Sequence, residues 1–255
     1  MPNNVSIPVD LLFGFLLVLS RVAGAFIFFP LPGFKDAPEP ARVVFALAMT
    51  LALLPFWPSV AETPQMGTLL IWMASEVAFG LTVGLIVSLV TEGMVVAAQA
   101  IGLQAGYSYA STIDPSGQND TTVLQMMAQL VSGLLFFALG FHRTMIGVFA
   151  ASLKAHPPGT FHLTAPLAET VIKLCGTIFT TGLRLGLPVV ALLLIIDLSL
   201  ALIGRINAQL QLISLAFPLK MLASLFALGS LAVMFPGAYE KAAAQLFRTL
   251  AGLVN

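Results

Sequence analysis

Six charged side chains fall inside long apolar segments of the sequence, and these are the residues that could carry chemistry. They are Arg21, Glu76, Glu92, Arg184, Asp197 and Lys220. Carboxylates within membrane helices are typical of proton relays, so Glu76, Glu92 and Asp197 could titrate while a transporter moves a small solute. Asp197 could instead form a hydrogen bond to a neighbouring helix, and the sequence leaves both interpretations open.

The sequence contains no recognisable catalytic motif. It lacks the His-Glu-x-x-His, Gly-x-Ser-x-Gly and Gly-x-x-x-x-Gly-Lys patterns, and it has no cysteine or histidine cluster with metal-ligand spacing. The three histidines, His142, His156 and His162, are far apart and are interpreted as structural. The single cysteine, Cys175, cannot form an intramolecular disulfide. We therefore expect no enzyme activity, cofactor or metal, and an intramembrane protease would lack its nucleophile.

The composition indicates that membrane helices carry these charged side chains. Of the 255 residues, 58% are hydrophobic and 9% are charged, and the mean hydropathy is +0.99. A soluble domain carries about a quarter of charged residues, so the sequence predicts an all-α membrane protein. The formal net charge is zero, which gives no indication of a nucleic-acid partner.

Apolar segments long enough to form membrane helices recur along the chain. About six long, kinked helices are predicted, over residues 9–29, 41–57, 67–98, 123–153, 176–203 and 212–235, with a helical tail over 238–253. The short link 204–211 makes the last two segments an antiparallel hairpin. Pro188 and Pro218 predict kinks within or beside these two helices.

The charges divide these segments into short uncharged stretches. The uncharged stretches 77–91 and 185–196 are too short to cross about 30 Å of hydrocarbon. A charge at the centre of a membrane helix costs about 2.5–3.5 kcal/mol, so we expect much of the apolar surface to pack against protein or a wet channel. Snorkelling of some charges to the interface is the alternative. Gly80 and Gly84, four residues apart, offer a smooth surface for close approach of another helix.

Residues 102–120 form a polar island between two apolar segments. Three glycines and the Asp114-Pro115 pair argue against a continuous helix, so a loop is predicted over the whole range. Backbone without internal partners must meet water or protein, which places the loop outside the bilayer or at a protein-lined cavity. An ordinary connecting loop is the alternative.

The motif Gly-Leu-Gln-Ala-Gly-Tyr-Ser at 102–108, followed by Asp114-Pro115, resembles the loop of the FliR family of flagellar type III export-gate proteins, which is related to SctT of injectisomes. The similarity continues over nearly the whole chain, at Arg21, Pro30, Gly33, His142-Arg143, Ile196-Asp197, Arg205, Gln209 and Phe217-Pro218-Leu219-Lys220. The departures are Ala208-Gln209 where the family has Pro-Gln, Gln211 where it has Asn, and Phe141-His142-Arg143 where it has Gly-His-Arg.

This resemblance implies a non-enzymatic subunit that completes a helical ring with FliP-like and FliQ-like proteins around a protein-conducting channel. It implies a FliP-like part over residues 1–165 and a FliQ-like hairpin with its tail over 166–255. Unfolded export substrates would pass through the channel, and an FlhB-like partner would meet the hairpin at its entrance. The expected location is the bacterial inner membrane, in the flagellar basal body.

The resemblance also implies roles for individual residues. A channel plug within 102–120 would include Gly102, Gln104, Gly106, Tyr107, Tyr109, Ile113, Asp114 and Pro115. Contacts between subunits would use Arg21, Glu76, Arg184, Asp197, Arg205, Gln209 and Lys220. The alternative function is that of a proton-coupled secondary transporter of a small solute. Such a transporter would purify as a monomer or homo-oligomer, whereas a gate subunit would co-purify with unlike small membrane proteins.

Overall fold

The computed structural model describes residues 9–29, 38–58, 64–107, 122–157, 159–161, 164–206 and 212–254, and these residues contain helices and turns but no strand. The helices are α1 (Val9–Phe26), α2 (Glu39–Ala52), α3 (Met66–Ala105), α4 (Val123–Ala138), α5 (Phe141–Ala155), α6 (Ala165–Ile206), α7 (Leu212–Leu231) and α8 (Phe235–Val254). Short 3-10 turns at Leu54–Phe56 and Ala232–Met234 follow α2 and α7. The prediction of an all-α membrane protein is confirmed.

Three stretches are long and apolar enough to cross a membrane, namely Met66–Ala105, Leu167–Ile206 and Ala216–Gly252, and α4 with α5 adds a fourth if that interrupted pair is one span. The predicted segments overlap α1, α2, α3, the α4–α5 pair, α6 and α7, but α6 begins at Ala165, eleven residues before the predicted start at residue 176. Pro188 and Pro218 lie inside α6 and α7, within the helical segments where the sequence placed them.

The segment predicted over 123–153 is two helices, because Gly140 interrupts it. Gly140 adopts a left-handed backbone with φ of +76°, and its N–H donates to the carbonyl oxygen of Phe137 at 3.0 Å. A left-handed residue after the last helical turn ends a helix, and glycine adopts it without steric cost. The expectation of one helix there is therefore wrong.

The polar island begins later than the sequence predicts, since α3 continues to Ala105. The N–H of Gly106 donates to the carbonyl oxygen of Leu103 at 3.3 Å, and the N–H of Tyr107 donates to that of Gly102 at 2.9 Å. With Gly106 at φ of +89°, these bonds form a Schellman motif, which satisfies the last carbonyl groups of the helix. Gly102 and Gln104 thus belong to the last helical turn and not to a loop.

Packing divides the chain into two compact units that are each discontinuous in sequence. Unit 1 contains residues 1–88, 136–174 and 244–255, and unit 2 contains residues 89–135 and 175–243. This division follows from packing within the chain. It does not test the expected FliP-like and FliQ-like parts, so the boundary between residues 165 and 166 stays a prediction.

Each unit has its own tightly packed interior. In unit 1, α1 lies directly on α3, because a methyl group at Gly80 would collide with the carbonyl oxygen of Arg21 and one at Gly84 would lie 2.9 Å from the Cα of Ala25. The predicted role of these two glycines in close helix approach is confirmed. In unit 2, the apolar core consists of Ala98, Ile101, Ala105, Leu124, Val189 and Leu193.

Candidate functional site

A buried ion pair lies in unit 1. We call it, with its partners, the Arg21 cluster, which consists of Arg21, Glu76, Phe79, Ser152, the carbonyl group of His156 and the N–H of Gly159. Arg21 Nε donates to Glu76 Oε2 at 2.5 Å, and both side chains are 0% exposed. The pair joins α1 to α3 by residues that are 55 positions apart.

Each of the other nitrogen and oxygen atoms of these two charged groups also has a hydrogen-bond partner. Arg21 Nη1 donates to Ser152 Oγ and Nη2 donates to the carbonyl oxygen of His156, each at 3.0 Å. The Gly159 N–H donates to Glu76 Oε1 at 3.3 Å, and the guanidinium carbon lies 4.5 Å from the centre of the Phe79 ring. Burial of two charges is tolerated only with such complete partnering, so the cluster fixes how α1, α3 and α5 meet.

A second polar group lies in unit 2, where α3 ends and residues 108–121 begin. We call it the loop anchor, which consists of Gln104, Tyr107, Asp197, Lys220 and Ser224. Asp197 accepts a hydrogen bond from Gln104 Nε2 at 2.8 Å, and it pairs with Lys220 Nζ at 3.0 Å. The side chains of Lys220 and Asp197 are 13% and 38% exposed, so this pair is less enclosed than the pair of unit 1. The expectation that Asp197 bonds a neighbouring helix is confirmed.

Tyr107 attaches the same point of the chain to α7. Its hydroxyl group donates to the carbonyl oxygen of Met221 at 3.1 Å and accepts from Ser224 Oγ at 3.3 Å. The Tyr107 ring also packs against the apolar core of unit 2. Two side chains three residues apart, Gln104 and Tyr107, therefore tie the end of α3 to α6 and α7 respectively.

Gly106 is required in the loop anchor for two reasons. Its φ of +89° strains any residue with a side chain, and a methyl group there would lie 2.6 Å from Phe217 Cδ1. The close approach of Phe217 on α7 brings Lys220, one helical turn further along, toward Asp197 on α6.

Beside the core of unit 2 lies a cavity of about 350 Å³ whose lining is almost wholly apolar. It lies among α3, α4, α6 and α7, with Ile101, Leu124, Leu185 and Leu228 in its wall.

No group of three His, Cys, Asp or Glu side chains that could hold a metal ion occurs among the described residues. Both polar groups consist of an ion pair and hydrogen bonds that join different helices.

The structure brings some of the predicted site residues together and leaves others apart. Arg21 pairs with Glu76, and Gln104, Asp197 and Lys220 meet in the loop anchor with Tyr107 beside them. Arg184 and Arg205 are exposed on α6. Tyr109, Ile113, Asp114, Pro115 and Gln209 lie outside the described residues. The roles in plugging and in subunit contact stay predictions.

Several partners in these groups were not singled out by the sequence. Phe79 and Ser224 follow Glu76 and Lys220 by three and four residues, which places each pair on one helix face, so helical spacing could have suggested them. Ser152 has no comparable signal, because it is 131 positions from Arg21.

Comparison with known proteins assigns the chain to a family. Residues 12–246 match the model of the family described as bacterial export proteins, family 1. The chain is 28% identical to the flagellar biosynthetic protein FliR of Pectobacterium carotovorum over 88% of this chain and 87% of that protein. It is 25% identical to FliR of Escherichia coli over 94% and 90%, and 29% identical to FliR of Caulobacter vibrioides over 82% and 84% of the respective chains. The chain therefore belongs to the FliR family of bacterial export proteins, as its motifs predicted.

Proposed function

We propose that this chain is a non-enzymatic subunit of the flagellar protein-export gate. In this proposal it completes a helical assembly with FliP-like and FliQ-like proteins in the bacterial inner membrane. An FlhB-like partner meets the hairpin of α6 and α7 at the entrance, and unfolded export substrates pass through the assembly.

The observation that carries this proposal is how little of the C-terminal helices the chain buries by itself. In the most apolar 18-residue window of each candidate span, 67% of residues are buried for Met66–Ala105, 17% for Leu167–Ile206 and 6% for Ala216–Gly252. An apolar helical segment that is buried so little needs cover from lipid or other proteins. Charged residues on the same helices favour contact with other proteins, because a charged side chain facing the hydrocarbon of the bilayer is costly.

The pairing of the carboxylates supports a gate subunit over a secondary transporter. Glu76 is engaged by Arg21, and Asp197 by Lys220 and Gln104. Either carboxylate would have to lose these partners before it could carry a proton. In the gate proposal the same pairs act as internal ties that hold the helices in one arrangement.

The loop anchor supports a plug formed by residues 108–120 and fixed at its N-terminal base. Gln104, Gly106 and Tyr107 hold the end of α3, which includes Gly102, against α6 and α7. Tyr109, Ile113, Asp114 and Pro115 lie beyond this base, where the proposal has them fill and restore the constriction. A plug held at its base moves aside without losing its register when a substrate passes.

Purification tests the gate assignment. The full-length tagged chain, expressed in a flagellated bacterium that lacks its own copy of the gene, should restore swimming and recover FliP-like and FliQ-like proteins in mild detergent. Recovery of the chain alone or as a homo-oligomer, with normal flagella in the deletion strain, would instead support the transporter.

Deletion of part of the loop tests the plug. Removal of Ser108 to Ile113, which keeps Tyr107 and the loop anchor, should leave recovery of the assembly intact and make the resting membrane permeable to small ions. A membrane that stays tight with the deletion, in cells containing the intact assembly, would contradict the plug.

A further inference from the structure

The apolar cavity beside the core of unit 2, which we call the unit 2 cavity, reaches from the interior of this unit to its surface. Met94, Ile101 and Leu124 in its wall are at most 8% exposed. Met127 and Leu225 in the same wall are 54% and 51% exposed. All residues of the wall belong to unit 2. A molecule that enters past the exposed side chains therefore reaches side chains that are otherwise buried.

The wall of the unit 2 cavity does not suit a polar occupant. None of its residues carries a side-chain nitrogen or oxygen atom. A water molecule inside a protein needs about two to four polar partners, so the cavity does not hold ordered water. A charged or polar ligand likewise needs a few convergent polar groups. The chemistry of the wall is thus that of a site for hydrocarbon.

The size of the cavity excludes a segment of another protein. An α-helix about 10 Å across that rises about 5.4 Å per turn fills about 420 Å³ in each turn, which is more than the whole cavity. An extended segment would bring backbone N–H and C=O groups against a wall without polar side chains, which is strongly unfavourable. A cavity of about 150 Å³ holds benzene, so one aromatic side chain from a neighbouring protein would fill less than half of the space.

A single hydrocarbon chain matches the cavity in volume. Since benzene, a ring of six carbons, fits a cavity of about 150 Å³, the 350 Å³ of the unit 2 cavity has room for a chain of about 14 carbons. Met94 and Met127 in the wall have flexible, unbranched side chains, which adapt to an occupant of irregular shape. Empty space of this size would deprive the wall of packing contacts, so an apolar occupant is favoured.

The helices around the cavity indicate where the hydrocarbon comes from. Met94 and Ile101 lie in the candidate span Met66–Ala105, Leu185 lies in Leu167–Ile206, and Leu225 lies in Ala216–Gly252. Helices that cross a membrane meet the acyl chains of its lipids. The phospholipid bilayer is therefore the source of hydrocarbon beside this cavity.

We propose that the unit 2 cavity binds one acyl chain of a membrane phospholipid. The chain enters past Met127 and Leu225 and ends against Met94 and Ile101, while the headgroup and the second acyl chain stay in the bilayer. The lipid then forms part of the packing among α3, α4, α6 and α7. This inference goes beyond the proposed function and does not require it, because it depends only on the position of this chain in a membrane.

Photolabelling in cell membranes tests the site. Bacteria that produce the full-length tagged chain are grown with a fatty acid that carries a diazirine near its end, which they incorporate into phospholipids. After illumination of the isolated membranes, mass spectrometry of the purified chain locates the adducts. Adducts of phospholipid mass are expected on Met94 and Ile101, which are 7% and 2% exposed and so are reached only through the cavity. Phe179, which is 63% exposed on α6 and lies outside the wall, is the positive control for labelling.

Variants with a filled cavity give a second measurement. Gly229 lies in the wall, and an added Cβ there would meet no atom within 4 Å. Gly229→Phe places a ring in the opening and should lower the adducts on Met94 and Ile101 by about fivefold or more. Ala98→Leu fills the cavity from a wall position that is 6% exposed and should lower them as well. Gly176→Phe is the matched control, because Gly176 also has open space around it but lies outside the wall, and it should leave the adducts unchanged.

The labelling of the unmodified chain decides the inference even if a variant fails to fold. Unlabelled Met94 and Ile101 beside a labelled Phe179 would overturn it. Labelling that persists in both filled variants would mean that lipid reaches these residues by another route, which also contradicts it. Adducts of fatty-acid mass would make a free fatty acid the occupant in place of a phospholipid. An unlabelled wall, together with recovery of the other gate proteins by Gly176→Phe but not by Gly229→Phe, would assign the cavity to side chains of a neighbouring protein.

Discussion

Removal of Arg21 should destabilise the chain more than removal of any exposed cation. Arg21→Met leaves Glu76 fully buried with the Gly159 N–H, at 3.3 Å, as its remaining partner among those described. Breaking a buried ion pair by removing one partner costs about 3–5 kcal/mol, because the other charge stays buried without compensation. At about 2–4 °C per kcal/mol for a chain of this size, the melting temperature should fall by about 6–20 °C.

The measurement is thermal denaturation of the purified chain in detergent, followed by circular dichroism. The double variant Arg21→Met with Glu76→Met removes both charges and should recover most of the lost stability. Lys173→Met is the matched control, because Lys173 and Glu169 are 74% and 66% exposed and such a surface pair contributes about 0.5 kcal/mol or less. A double variant no more stable than Arg21→Met, or equal shifts for Arg21→Met and the control, would refute the reasoning.

The other predictions use the same melting measurement. Gly80→Ala should lower the free energy of unfolding by about 1–3 kcal/mol, because its methyl group would collide with the backbone of α1. Gly147→Ala is the control and should not lower it, because there is open space around Gly147. Equal shifts in melting temperature for the two variants would mean that α1 does not lie so close to Gly80. Gly106→Ala should lower the melting temperature more than Gly140→Ala does. Both variants replace a glycine with left-handed backbone, but only the methyl group at residue 106 would collide with another side chain, that of Phe217 on α7. The reverse order would contradict this contact. Lys220→Leu breaks a partly exposed pair and should lower the melting temperature by about 2–4 °C, and a shift as large as that of Arg21→Met would contradict the exposure difference.

The sequence predicted the helices well because their signal is local. An apolar segment, a proline within it, such as Pro188 or Pro218, and two glycines four residues apart, such as Gly80 and Gly84, are each recognised within a short stretch of sequence. The family was also accessible, since its motifs lie in short runs such as 102–108. These features need no knowledge of which helix packs against which.

The pairing of the charges was not accessible in the same way. Gln104 and Asp197 are 93 positions apart, and the residues around either one do not indicate that the two side chains form a hydrogen bond. The end of α3 was misplaced for a related reason, because glycines at 102 and 106 have different roles. Gly102 continues the helix and provides an acceptor carbonyl, and Gly106 alone takes the left-handed backbone that ends it.

The interruption at Gly140 has a consequence for membrane topology. At about 1.5 Å per residue, α4 and α5 are each shorter than the hydrocarbon core of about 30 Å, so neither arm traverses it unaided. If the two arms enter and leave by the same side, the described spans number three, and if they traverse it together they number four. An odd number of spans between the start of α3 and the end of α8 places these two points on opposite sides of the membrane, and an even number places them on the same side, so the bend at Gly140 bears directly on the topology of this region.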